Sequence, residues 1–189
     1  MLQKNRLRYG IYTLLFLSGY CLAFLRMPPS PNFEPVNPTS DSVIDVCFSP
    51  NGECEERIIK GIRRAKKQVL IHAFALTSPI ITQELIKAHK AGITVRILYD
   101  RSQARHHASK ISYLKSQGIE TIPDRISGLS HNKVIILDDW GVITGSYNFT
   151  NAANAKNAEN LLLIINVNVN REYQQNWNLR YNQALRGPN

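Results

Sequence analysis

The spacing of hydrophobic residues changes several times along the chain, and each change marks an element. Val43 to Phe48 reads as a strand. Glu53 to Lys67 then places Ile58, Ile59 and Ile62 on one face among basic residues, which predicts a basic amphipathic helix. Val69 to Ala75 is almost unbroken apolar sequence, the pattern of a strand buried on both faces. Ser78-Pro79 supplies a capping side chain followed by a proline at the first helical position, so a helix runs from there to about Ala91, and Gly92 ends it. Ile93 to Tyr99 predicts another strand, and His106 to Ser116 another helix, closed by Gly118. Strands follow at Lys133 to Leu137, Gly141 to Thr144 and Leu161 to Ile165. A last helix, Asn170 to Leu185, carries Tyr173, Trp177, Tyr181 and Leu185 at four-residue spacing. There is no internal repeat. The alternation predicts one α/β domain over residues 43–189, a mixed β-sheet flanked by helices on both faces.

Ahead of that domain the composition is different. Lys4, Arg6 and Arg8 precede an apolar run from Tyr9 to Leu25, so residues 1–26 read as a signal peptide or an uncleaved signal anchor. Either leaves the basic end in the cytosol and exports the domain, to the periplasm or the exterior, with the inner membrane as partner if the segment is kept. Five of the nine prolines fall between Pro28 and Pro38, which makes residues 27–42 an extended linker. Cys47 and Cys54 flank a Pro-Asn-Gly turn, and an exported protein can join them in a disulfide. A zinc site is the rival, but no further ligands stand at metal-site spacing.

The formal net charge is +9; residues 41–189 hold nineteen Lys and Arg against thirteen Asp and Glu. A basic domain favours a polyanionic partner, either nucleic acid or an anionic lipid surface. The chemistry is concentrated in His131-Asn132-Lys133, with Asp138 five residues on and Gly145-Ser146-Tyr147-Asn148 beyond. Residues two apart on a strand share a face, so His131 and Lys133 project together and Asp138 faces away as a structural residue fixing nearby backbone. Ser146 and Asn148 form a second pair. A nitrogen base or nucleophile, a fixed cation and two neutral hydrogen-bonding groups suit a phosphoryl group in its transition state.

Read as H-x-K-x4-D-x6-G-S-x-N, with Lys156-Asn157-Ala158-Glu159-Asn160 downstream, the segment resembles the phospholipase D superfamily, and in particular its small, single-motif bacterial endonucleases. The resemblance extends over about 140 residues and implies the phospholipase D-like fold. It also implies His131 as a nucleophile that forms a phosphohistidine, Lys133, Ser146 and Asn148 around the phosphoryl group, and Glu159 orienting the His131 ring. Asp138 and Gly145 complete the motif structurally. No metal or other cofactor is implied. The mechanism uses two histidines and the chain has one motif, so the resemblance implies a homodimer sharing its active site across a two-fold axis. The favoured reaction is metal-independent hydrolysis of nucleic acid. A phospholipase D acting on membrane phospholipid is the alternative, and an inactive nucleic-acid- or lipid-binding module a third.

Other readings of these residues account for less. A Ser146-His131-Asp138 hydrolase leaves Lys133 unexplained and needs Asp138 on the wrong face. Asn148-Phe149-Thr150 matches a glycosylation acceptor, but it lies inside the motif. Arg101, Arg105 and Lys110 follow a strand end, where α/β folds commonly bind ligands, and are candidate phosphate contacts. His72 and His89 are read as structural, and Arg63, Arg64, Lys66 and Lys67 as an exposed helix face.

Overall fold

The unbroken apolar run after Lys67 becomes a central strand. A computed structural model describes residues 42–186, so the segment read as a signal or anchor and nearly all of the linker lie outside the described residues. The elements are β1 (Val43–Ser49), α1 (Cys54–Arg64), β2 (Gln68–Ala73), α2 (Pro79–Lys90), β3 (Thr94–Asp100), α3 (Ile111–Ser116), β4 (Glu120–Asp124), β5 (Lys133–Leu137), β6 (Gly141–Gly145), α4 (Asn151–Ala155), β7 (Glu159–Ile165) and α5 (Val167–Arg186). One open seven-stranded sheet runs in the order β1-β7-β6-β5-β2-β3-β4. β2, β3 and β4 are parallel neighbours, and every other pair is antiparallel. This is the mixed sheet that the strand and helix patterns predict.

Side-chain alternation along β2 divides the interior into two layers. Val69, Ile71 and Ala73 pack with Ile58 and Ile62 of α1, Ile81 and Leu85 of α2, and Leu114 of α3. Leu70 points the other way, joining Leu98, Val134, Ile136 and Val142 beneath Trp177 and Ala184 of α5. Trp177 is 2% exposed and its indole N–H donates to the Ile71 carbonyl at 2.9 Å, so the largest side chain under α5 also meets its polar requirement. Leu185 continues the four-residue spacing but is exposed, and the neighbouring Ala184 takes the buried position at that end of α5.

Several boundaries differ from the sequence expectation. The first helix stops at Arg64 because Asp138 claims the next N–H groups: its carboxylate accepts from Lys66, Lys67 and Gln68, each at 2.8 Å. The helix expected from His106 begins only at Ile111, after a short 3-10 turn at Gln103–Arg105. Glu120–Asp124 is a strand that the pattern missed; it contains Pro123, tolerated because β4 is an edge strand. The basic face of α1 is engaged as well as solvated. Arg63 and Lys87 both bind Glu84, and the Arg63 hydrogen bonds hold that carboxyl down to about 2 against the opposing effect of burial. Arg64 lies over the Trp140 ring. Cys47 and Cys54 are joined in a disulfide between β1 and the start of α1.

Asp138 is thus structural, but it fixes backbone at the end of β5 far from Lys133, not beside the motif histidine. Asp138→Ala leaves three N–H groups without their charged acceptor, and about 3 kcal/mol of stability should be lost. Denaturant unfolding of the variant measures it. The catalytic rate of the protein that remains folded should stay close to wild type.

Candidate active site

β5 begins at Lys133, so His131 lies just before the strand and not on it. The approach is nevertheless well fixed. The Phe74 N–H donates to the Asn132 carbonyl at 2.7 Å, and Lys133 pairs with Ala73. The exposed His131 ring packs edge-on against Phe74, with centroids 4.5 Å apart and planes at 61°. Lys133 is buried; its ammonium lies 4.9 Å from the centroid of the same ring and donates to the His131 carbonyl at 3.0 Å. Imidazole and ammonium converge on one side of the sheet edge as the motif spacing predicts, with Phe74 as their common support. Burial lowers the Lys133 ammonium from its ordinary value, and the Glu159 charge opposes the shift.

The second half of the motif is set by a glycine. Gly145 has φ +147°, and a Cβ there would lie 2.3 Å from the Asn160 carbonyl oxygen, so no other residue fits. The close approach lets the Ser146 hydroxyl donate to Glu159 Oε2 at 2.6 Å while accepting from the Asn160 N–H at 3.1 Å. Asn157 Nδ2 donates to Glu159 Oε1 at 2.9 Å. The resemblance implied that Glu159 orients His131. Within the protomer its two oxygens accept from Ser146 and Asn157, and it presents its charge to Lys133. Asn148 sits between buried Tyr147 and Phe149, and Phe149 is hydrogen-bonded to Ala75, Thr77 and Ser78 just beyond β2. The Asn148 amide oxygen is buried with no hydrogen-bond partner among the described residues.

Arg101 and Arg105 are exposed on the loop after β3, and Lys110 ends that loop with its N–H on the Leu76 carbonyl at 3.0 Å. Because β5 is antiparallel to β2, its start and the ends of β2 and β3 lie at one edge of the sheet. The cationic loop and His131 therefore share that edge. Among the described residues no group of three or more His, Cys, Asp or Glu is arranged to hold a metal ion. Two contributors escaped the sequence reading. Phe74 was visible as the aromatic in the run from Val69 to Ala75, and Asn157 carried no signal beyond its place beside Glu159.

The model of the "Cardiolipin synthase, PLD-like domain" family matches residues 58–179, a span that takes in the whole motif. The chain belongs to the phospholipase D superfamily. As a member it is a phosphodiesterase, a hydrolase of the endonuclease or phospholipase D kind. It is 39% identical over 150 residues to a phospholipase D of Rickettsia bellii, a match that covers 79% of this chain and 75% of that one. It is 29% identical over 119 residues to the mitochondrial cardiolipin hydrolase of Xenopus tropicalis, covering 63% of this chain and 57% of the relative. Among solved structures it resembles the phospholipase D family member Nuc from Salmonella typhimurium, with TM-score 0.72, 34% identity and coverage of 76% of this chain and 96% of Nuc.

In this superfamily member, Phe74→Leu keeps apolar volume but removes the ring shared by His131 and Lys133. A cation over an aromatic face is worth about 1 kcal/mol, so kcat on a chromogenic phosphodiester should fall about fivefold with little change in thermal stability.

Proposed function

We propose that the chain is an exported, metal-independent endonuclease that cleaves nucleic acid as a homodimer through a phosphohistidine at His131. The observation that carries the nucleic-acid assignment is the exposed cationic loop of Arg101 and Arg105 at the sheet edge that holds His131. Lys110 closes that loop, and the positive charge of the domain adds a general attraction for a polyanion. The Cys47–Cys54 disulfide supports export, since such bonds persist in oxidising compartments. Outside the described residues, the basic and apolar segment 1–26 supplies the means, as a cleaved signal or as an anchor in the inner membrane.

The chemistry follows from the groups at the site. An imidazole nitrogen of His131 attacks phosphorus, a P–N bond forms, and the P–O bond to the leaving alcohol breaks. The leaving oxygen takes its proton from His131 of the second protomer. Water then attacks the phosphohistidine, giving its proton to that same second imidazole and its oxygen to phosphorus, and the P–N bond breaks. Lys133 stabilises the non-bridging oxygens, with Asn148 hydrogen-bonding beside it. Ser146 and Asn157 hold Glu159, whose charge keeps Lys133 protonated against the effect of burial. A single protomer offers one motif imidazole for two opposite proton-transfer roles, which is why the dimer belongs to the proposal.

A phospholipid substrate is the second reading. It is favoured by the names of the relatives, phospholipase D and mitochondrial cardiolipin hydrolase, and by the apolar row Ile44, Val46 and Phe48 left exposed on β1. Salt separates the two. Kd for a short DNA duplex, measured on the His131→Ala protein to prevent turnover, should rise steeply with ionic strength, with log K falling by about 0.9 per phosphate contacted for each unit of log salt. Replacing Arg105 and Lys110 by Gln should reduce that slope. A flat response, together with hydrolysis of phosphatidylcholine vesicles by the wild-type protein, moves the assignment to lipid. On either substrate His131→Ala should abolish turnover, and EDTA should leave the wild-type rate unchanged.

The dimer has its own test. Mixed and re-equilibrated wild-type and His131→Ala chains should give heterodimers far below half the wild-type rate, because each lacks one of the two histidines. Activity proportional to the wild-type chains present, with a monomer in sedimentation, removes the dimer.

A further inference from the structure

Four buried polar side chains that the motif does not include meet behind His131. They are His72 of β2, Asp100 at the end of β3, Asp124 at the end of β4, and Ser130, the residue before His131; none is more than 3% exposed. Ser130 is the hub. Its N–H donates to Asp100 Oδ2 at 2.7 Å and its hydroxyl donates to Asp124 Oδ2 at 2.7 Å. His72 Nε2 lies 2.5 Å from the Ser130 hydroxyl oxygen and 3.0 Å from Asp124 Oδ2. With the hydroxyl proton directed at Asp124, both neighbours of Nε2 are acceptors, so His72 carries its proton on that nitrogen. Arg180 of α5 donates to both oxygens of Asp124, and Ser102 caps Asp100 from its N–H and hydroxyl. Burial pushes the His72 imidazole down, more than Asp124 raises it, so the ring is neutral. Burial raises Asp124, but hydrogen bonds from Ser130 and Arg180 outweigh it and keep the carboxylate ionised.

We propose that this cluster positions the nucleophile: His72, Asp124 and Ser130 hold the backbone that presents His131, and His72 and Ser130 act as positioning residues for phosphoryl transfer. The proposal rests on the reading of His131 as nucleophile. The His131 side chain is exposed, and the neighbour that fixes its ring is Phe74, so the placement of that ring depends on the backbone either side of it. After His131 the backbone is held by the Phe74 N–H on the Asn132 carbonyl. Before it, the anchor is Ser130, through two separate hydrogen bonds to two carboxylates from different strands. A requirement for fold alone would be met more simply by apolar side chains, as it is at Leu70, Leu98, Val134, Ile136 and Val142 on the same face of the sheet. The layer becomes polar where it meets the residue before His131. Displacing a reacting group by about 1 Å costs on the order of a hundredfold in rate, so an anchor of this kind has a kinetic consequence.

The test is steady-state kinetics of the full chain on a chromogenic phosphodiester, alongside thermal unfolding. Ser130→Ala and His72→Leu should each lower kcat by roughly ten- to a hundredfold, with KM changed by less than about twofold and cooperative unfolding retained. Ser130→Thr, which keeps the hydroxyl, and His72→Gln, which keeps an N–H donor at similar reach, should restore most of the rate. Wild-type kcat in folded Ser130→Ala overturns the proposal, as does a Ser130→Thr protein no faster than Ser130→Ala. Loss of cooperative unfolding in both Ser130→Ala and His72→Leu assigns the cluster to the fold and overturns it too. His131→Ala is measured in the same series. If that variant retains activity, the nucleophile assignment falls; if it is dead while Ser130→Ala runs at the wild-type rate, the positioning role alone falls.

Discussion

The antiparallel pairing of β5 with β2 is the constraint on which the rest of the molecule depends. Its register sets Lys133 against Ala73 and Leu137 against Val69, with Ile135 opposite Ile71 between them. A strand has a side-chain period of two, so a slip of one residue would turn Lys133 to the other face and take Ile135 and Leu137 out of the layer they fill. Both ends of the pairing are locked. At one end the Phe74 N–H meets the Asn132 carbonyl; at the other the Asp138 N–H donates to the Gln68 carbonyl at 3.0 Å while its side chain gathers the next turn of backbone. The aspartate of the motif and its histidine and lysine thus stand at opposite ends of one strand for one reason: the first secures the register that places the other two.

That register also explains how a charged group can sit at the edge of an apolar interior. Lys133 is buried, yet it is not stranded: it has the His131 carbonyl, the face of Phe74 and the charge of Glu159 around it. Glu159 in turn is held by Ser146 and Asn157, and Ser146 reaches it only because Gly145 lets the β6 end approach Asn160. Each polar group near the sheet edge depends on another, and the chain of dependence ends in backbone geometry. A cation held this way needs no reorganisation when charge develops on a phosphoryl oxygen.

Beneath α5 the same logic works over a longer distance. Asp124 belongs to an edge strand and Arg180 to the last helix, while Ser130 adjoins His131, and one carboxylate joins all three. The last helix is therefore tied to the reactive edge by an ion pair as well as by Trp177. On β1 the apolar residues Ile44, Val46 and Phe48 remain open, on the face of the strand opposite buried Cys47.

The sequence by itself determined the α/β alternation, the strand buried on both faces, and the candidate pair His131 and Lys133, because these are carried by local periodicity and by residues close together in the chain. His131 and Lys133 are two residues apart, and no folding is needed to see that they lie close together. What only the tertiary structure decided involves residues distant along the chain. The partners of Glu159 are set by the β6–β7 pairing, and the resemblance had assigned them otherwise. The early end of α1 at Arg64 is imposed by a carboxylate more than seventy residues away. β4 was missed because a five-residue edge strand containing proline has too little pattern to register. His72 looked like one more core residue, since nothing local reveals that β3 and β4 bring Asp100 and Asp124 to the same place. Periodicity shows which side chains are buried, but which polar groups are buried together is fixed by strand order, and strand order is a property of the whole chain.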